Sequence, residues 1–299
     1  MWNAFGRILK SDLYYFFGRA MKMNGLLARA VAVDGTNYRA TERLSQTGID
    51  HEPLLALGYR SLLACHNGIG KGTEARAFYD VVNARDGTGH AQLSQDLFVV
   101  LATASKRGGY FVEIGDGDGI SLSNTALLEQ RYGWTGILAE PNPNFHTAIT
   151  NSRSAILDKR AVFSRSGDKL DFLCDNIGEL SGILSTHSRT KEKAGDKVIP
   201  VETVSLNDLL DQHQAPAVID YMSIDTEGSE LDIIAPLDFN RRRPMILTIE
   251  HNDNAAKVVK LKKLLEPKGY RHVLERFSQF DSWFVDRSIQ FTRPSHVTA

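Results

Sequence analysis

The stretch Tyr110-Phe111-Val112-Glu113-Ile114-Gly115-Asp116-Gly117-Asp118-Gly119-Ile120 decides the fold. Tyr110–Ile114 reads as a short apolar strand that runs straight into glycines. A helical pattern over 121–132 follows, with Gly133 as its stop signal. Working outward, Thr135–Ala139 is a second apolar strand, residues 144–152 a helix, and residues 156–162 a third strand. Residues 217–224 and 245–249 give a fourth and a fifth strand, and Ala255–Leu265 a helix. Residues 270–275 and 282–285 close the pattern as a hairpin, and residues 93–104 precede it as a helix. Strands alternating with helices imply an α/β fold, a mainly parallel sheet covered by helices on both faces.

Such a sheet places ligands at the carboxyl ends of its strands, near the switch point in strand order. Gly115, Gly117 and Gly119 let the chain turn sharply and let backbone approach a ligand. A dinucleotide fingerprint would need G-x-G-x-x-G, and its third glycine would fall on Ile120. Asp116 and Asp118 would also set negative charge against a pyrophosphate. A positively charged sulfonium ligand with an amino group suits those acids better. The second strand ends on Glu140-Pro141, an acid placed to accept hydrogen bonds from ribose hydroxyls. Loop and acid together point to a nucleoside-type ligand.

Two further polar clusters fall at the same sheet edge, Ser223-Ile224-Asp225-Thr226-Glu227-Gly228-Ser229-Glu230 and Glu250-His251-Asn252. His251 is the candidate general base, with Asp225 and Glu250 beside it as candidate catalytic acids. Asp225, Glu250 and Asn252 offer oxygen donors of the kind that suits Mg²⁺. Glu227 and Glu230 also read as acids facing a helix N-terminus.

A formal net charge of −1 gives no general pull toward nucleic acid. Cys65 and Cys174 are too few for a disulfide framework, read as small buried residues, and suit a reducing compartment. Neither a secretory signal nor an apolar run of about 18 residues is found, so a cytoplasmic location is expected. Within residues 1–33, Trp2, Phe5, Leu9, Leu13, Phe16, Phe17 and Met21 recur at helical steps beside Arg7, Lys10, Arg19, Lys22 and Arg29. That basic amphipathic pattern fits either packing, including self-association into a homo-oligomer, or a peripheral membrane contact. The expected division is an N-terminal helical region over 1–90, a main domain over 91–287 and a tail over 288–299.

An ordered set of seven stretches resembles the FkbM-type family of S-adenosylmethionine-dependent methyltransferases. They are Gln95-Asp96; Phe111-Val112-Glu113-Ile114-Gly115; Leu122-Ser123-Asn124-Thr125; Glu140-Pro141-Asn142-Pro143; Leu180-Ser181-Gly182-Ile183; Asp220 through Glu230; and Glu250-His251-Asn252. The resemblance implies a class I, Rossmann-like, mostly parallel seven-stranded sheet whose last strand is antiparallel. It also implies O-methylation of a hydroxyl on a sugar, polysaccharide or secondary metabolite, with a small molecule or glycan as acceptor. By carry-over, Glu113, Gly115 and Gly119, with Gly117 and Asp118 of the same loop, would line the methionine part of S-adenosylmethionine. Glu140 and Pro141 would meet its ribose, Ala161 its adenine, and Asp225 the transferred methyl. Asp116 stands where the family usually has alanine, and residues 1–90 match nothing in it. The long connection 167–200 is expected to form a lid or acceptor wall. N-methylation of a small amine and an inactive nucleoside-binding scaffold are the alternatives. A nucleotide-dependent dehydrogenase is disfavoured by Ile120.

Overall fold

A computed structural model describes residues 73–84, 89–175, 181–187, 195–275 and 277–291. Expectations for residues 1–72 and for 292–299, including the amphipathic pattern over 1–33 and Cys65, lie outside the described residues. In chain order the elements are α1 (Glu74–Ala84), α2 (Gln95–Ala102), β1 (Tyr110–Ile114), α3 (Ala126–Tyr132), β2 (Thr135–Ala139), α4 (His146–Ser152) and β3 (Ile156–Asp158). Then come β4 (Ala161–Phe163), β5 (Lys169–Cys174), β6 (Gly182–Ile183), β7 (Lys197–Ser205), α5 (Leu206–Gln212) and β8 (Val218–Ile224). Last are α6 (Glu230–Ile234), β9 (Arg243–Glu250), α7 (Ala255–Leu265), β10 (Tyr270–Val273) and β11 (Asp281–Asp286).

The main sheet has seven strands in the order β10-β11-β9-β8-β1-β2-β3. All neighbours from β9 to β3 run parallel, while β11 pairs antiparallel with both β9 and β10. The chain builds outward from β1 to β3, then returns to β8 on the other side of β1. The switch point therefore lies between β1 and β8.

Alternation along the strands explains the layers. Phe111, Tyr221, Ile246, Trp283 and Val285 face α1, α2 and α3, whose Phe78, Leu97, Phe98, Leu127 and Leu128 fill one core. Val112, Ile114, Met222, Ile224, Leu247 and Phe284 face the other way, onto Leu209, Ile233, Leu261 and Leu265 of α5, α6 and α7. Phe98 stacks on Trp283 at 4.7 Å between ring centroids, and Phe78 meets the same indole edge-on at 5.4 Å, which ties α1 to the sheet. Residues 74–84 thus join the first core.

Three expectations shift. The helix expected over 121–132 begins only at Ala126, because Ser123, Asn124 and Thr125 turn their donors onto the Glu113 carboxylate instead. The strand expected over 156–162 breaks in two: Asp158 accepts from both the Arg160 backbone and guanidinium at 3.0 Å, which turns the chain into a second sheet. That sheet, ordered β4-β7-β5-β6, accounts for much of the long connection over 167–200. Ala161, Phe172, Cys174, Ile183 and Val201 form its own small core.

Candidate functional site

Strand register sets the site. Ile114 is level with Ala139 on one side and with Ile224 on the other, and Ile224 is level with Ile249. One step further, Gly115, Glu140, Asp225 and Glu250 form a row across the carboxyl ends of four parallel strands. Backbone bonds carry the ladder into that row: Gly115 N donates to Ala139 O at 3.0 Å, and Asp225 N to Ile114 O at 2.9 Å. Gly115 has φ +83°, and a Cβ there would overlap the Asp225 carbonyl oxygen. The close approach of β1 and β8 therefore requires glycine.

The glycine loop is tied from beneath. Buried Glu113 accepts from Ser123 Oγ at 3.0 Å, from Asn124 N at 2.6 Å and from Thr125 Oγ1. Asp118 caps its own turn, accepting from Ile120 N at 2.9 Å and from Ser121 N and Oγ at 2.7 Å. Asp116 points inward, fully buried, 3.5 Å from the Arg153 guanidinium. Neither aspartate offers a free carboxylate at the mouth, as their charge alone had suggested. Burial, with the Glu113 charge next, pushes the Asp116 carboxyl well above the usual range, and Arg153 opposes that rise. Gly119 packs its open face on Ile149 and Arg153. Gly117, at φ +62°, would put a Cβ into open space.

Glu140 accepts from Gly117 N at 3.1 Å and from Asn142 N at 2.7 Å, joining the β2 tip to the loop. Burial nonetheless raises its carboxyl to about 7. Pro141 follows it, half-buried. Ala161 begins β4 with its side chain in the small core of the second sheet. Residues 181–187 wall the crevice. Asn142 Nδ2 donates to Ser181 Oγ at 3.3 Å, and Gly182 and Gly228 allow 181–187 to lie directly on residues 226–228. The wall thus spans from the tip of β2 to that of β8.

On the other half, acids face one another. Oxygens of Asp225, Glu230 and Glu250 lie within 4.8 Å of one another. Glu230 accepts from Gly228 N at 3.0 Å and pairs with Lys257. Burial, with the charge of Glu227 next, holds Asp225 well above the carboxylate range. Burial, then Asp225, does the same to Glu250, whose Oε2 finds no donor among the described residues. The Asn252 amide reaches Glu227 Oε2 at 3.4 Å, and the carboxylate that joins Asp225 and Glu250 is Glu230.

His251 lies beside Glu250, buried, with Nε2 3.0 Å from the Asp281 carbonyl oxygen. A carbonyl only accepts, so Nε2 carries the proton and Nδ1 keeps the lone pair. That Nδ1 has no partner among the described residues. Burial lowers the His251 pKa, which keeps the ring neutral. Asp281 is in turn held by Gln95 Nε2 at 2.9 Å and Trp283 Nε1 at 3.3 Å. Gln95 stood in one of the resembling stretches without a role. Asn124, Ser223 and Thr248, hydrogen-bonded in series at 2.9 and 3.3 Å, were missed as a unit. Strand register sets Ser223 beside Thr248, and the hold of Glu113 on the Asn124 backbone brings the third member in.

Seven strands in this order, the antiparallel β11 and a glycine loop at the switch point define a class I methyltransferase fold. The "Methyltransferase FkbM domain" family matches residues 113–272, more than half of the chain. The chain belongs to the FkbM methyltransferase family, and it is an S-adenosylmethionine-dependent methyltransferase. No curated protein matches it. Among solved structures it is similar to a METTL16 MTase domain, at 13% identity and TM-score 0.39 over 78% of this chain and 80% of that one. The N-terminal domain of human METTL16 is similar at 13% and 0.32, over 78% and 81%. A human methyltransferase 10 domain containing protein follows at 12% and 0.34, over 79% and 96%. Likeness at this level says nothing of chemistry. No helix among the described residues is long and apolar enough to cross a membrane.

Proposed function

We propose that this chain O-methylates a hydroxyl on a sugar, polysaccharide or secondary metabolite, with His251 as general base. The supporting observation is the His251 ring: neutral, pinned at Nε2 by Asp281 O, with an unshared pair on a buried Nδ1. A hydroxyl must lose its proton as it attacks, and a positioned neutral imidazole can take it.

S-adenosylmethionine, when bound, supplies a methyl group on a positively charged sulfur. The residues at the switch point fit it. Gly117 opens on free space, and Glu140 keeps lone pairs beyond those engaged by Gly117 N and Asn142 N, enough to accept from ribose hydroxyls. The acids of the row suit a cation. In this reading Glu113, Gly115, Gly117, Asp118 and Gly119 shape the methionine side, Glu140 and Pro141 hold the ribose, and Ala161 marks the adenine side. Asp225 and Glu250 lie nearest the reacting centre. The wall 181–187 excludes water from above β1 and sets one side of the acceptor pocket.

Mg²⁺ would have to enter among Asp225, Glu250 and Glu230, where Lys257 already supplies positive charge to Glu230. Transfer is therefore expected to survive exhaustive chelation, and loss of activity in EDTA restored by Mg²⁺ would reverse that expectation. The acid-rich half also favours a second reading, a cationic amine as acceptor.

The test uses methyl-labelled S-adenosylmethionine with a panel of glycosides and primary amines. His251→Ala is expected to lower transfer to hydroxyl acceptors by about 10²–10⁴-fold. Its affinity for S-adenosylhomocysteine is expected to stay within about twofold, since the hydrogen bonds of His251 run to Asp281, Phe280 and Asn254 and not to the loop. Label on amines alone, or full activity in His251→Ala, would overturn the O-methylation reading. Thermal stabilisation by S-adenosylhomocysteine but not by NAD would support the cofactor site, and label on any acceptor would exclude the inactive scaffold.

A further inference from the structure

Arg153 follows α4, remote in sequence from the 113–119 loop, yet its guanidinium is completely buried behind that loop. Nη1 donates to Gly119 O at 2.8 Å and to Ser123 Oγ at 3.2 Å, Nη2 to Thr125 Oγ1 at 2.8 Å, and Nε to Glu129 at 2.8 Å. The guanidinium also lies over the Phe111 ring, 5.6 Å from its centroid. Ser123 and Thr125 are the same hydroxyls that hold Glu113. One cation thus grips the far end of the loop directly and its near end through two hydroxyls. Asp116, in the middle, has no hydrogen-bond donor on either oxygen among the described residues, and the counter-charge beside it is Arg153, at 3.5 Å.

We infer that Asp116 and Arg153 are a matched pair that positions the glycine loop for S-adenosylmethionine, so that Arg153 is required in this chain because Asp116 is present. The inference rests on the reading of the 113–119 loop as the cofactor site. A buried carboxylate deprived of its one counter-ion must take up a proton or move toward water, and breaking such a pair costs more than removing both members. For Asp116 the way to water is through the loop itself. Losing Arg153 should therefore distort the loop more than losing both groups does, the hydrogen bonds to Gly119 O, Ser123, Thr125 and Glu129 being lost in either case. An arginine that acts only by packing on Phe111 would show no such rescue.

The experiment measures S-adenosylhomocysteine binding to the full chain by calorimetry, well below each variant's thermal transition. Arg153→Met is expected to weaken binding roughly tenfold or more, and Asp116→Ala by less than about threefold. The double variant is expected to bind at least about threefold more tightly than Arg153→Met alone. Arg153→Lys keeps the charge and loses the fork. If Arg153→Met does not fold, Arg153→Lys is compared with and without Asp116→Ala by the same readout. Equal weakness of single and double variants, or an Arg153→Met affinity like that of the native chain, would overturn the proposal. Glu140→Ala run alongside separates the two readings. Sensitivity to Glu140 with indifference to Arg153 sinks the pair alone, whereas indifference to both sinks the site assignment with it.

Discussion

The two halves of the crevice treat their carboxylates in opposite ways. On the β1–β2 half, Glu113, Glu140 and Asp118 accept from backbone N–H groups and hydroxyls, and buried Asp116 has Arg153. On the β8–β9 half, Asp225 and Glu250 face each other and Glu227, and Lys257 is committed to Glu230. The first half has spent its donors on holding backbone in place. The second half leaves Glu250 Oε2 without a donor among the described residues and His251 Nδ1 unshared, an arrangement that attracts a cation. The lesson is a division of labour: one half shapes a pocket, and the other keeps the unsatisfied groups that chemistry needs.

The largest expected effect breaks the first half. Glu113→Ala strands two hydroxyls and one backbone N–H in the core, at about 1–3 kcal/mol for each unsatisfied group. Even with partial relaxation the loss should reach about 3 kcal/mol, a fall in Tm of roughly 6–12 °C for a domain of this size. Calorimetry checks it. A fall of only a degree or two would mean that Glu113 is not what shortens α3, and the contrast between halves would weaken.

Much of this contrast was legible in the sequence, and the reason is local. Apolar runs ending in Gly115, Glu140, Asp225 and Glu250 announce strands and their tips, and parallel pairing puts all tips on one edge. The seven-stranded order, which the FkbM resemblance implied, stands in the structure. What could not be read depended on contacts remote in sequence. Asp116 looked like a charge facing the ligand until Arg153, at the end of α4, claimed it. Glu230 read only as an acid facing a helix N-terminus, but the turn after β8 brings it back onto Asp225 and Glu250. The split after Asp158 was hidden because residues 156–162 read as one strand, and only the fold-back of Arg160 onto the Asp158 carboxylate divides it.

A middle-sized effect concerns pH. Glu140 sits at about 7 rather than 4.5 because burial penalises its charge. Ribose hydroxyls donate best to the ionised carboxylate, so cofactor binding should pull that pKa down and release a proton. The sign follows: S-adenosylhomocysteine affinity should fall as pH drops below about 7, by at most about tenfold per unit. Glu140→Gln should bind more weakly at pH 8 and lose the slope. A native affinity flat from pH 8 to pH 5.5 would remove Glu140 from the ribose.

The smallest effect separates the halves most cleanly, because its sign is reversed. Glu250→Gln removes one of two acids that hold each other, and burial holds them further, above their usual range. A raised carboxyl pKa means that the folded chain pays a penalty above the raised value. That penalty shrinks as pH falls toward the ordinary value near 4.5. Glutamine carries no charge, so the variant should gain about 1 kcal/mol at pH 8, with the gain shrinking toward pH 5.5. Urea midpoints at both pH values measure it. The same substitution should also narrow the preference for S-adenosylmethionine over S-adenosylhomocysteine, since only the former carries the sulfonium charge that the acids attract. A loss of stability at both pH values as large as that of Glu113→Ala would show that Glu250, too, is held by donors, and the distinction between the halves would fall.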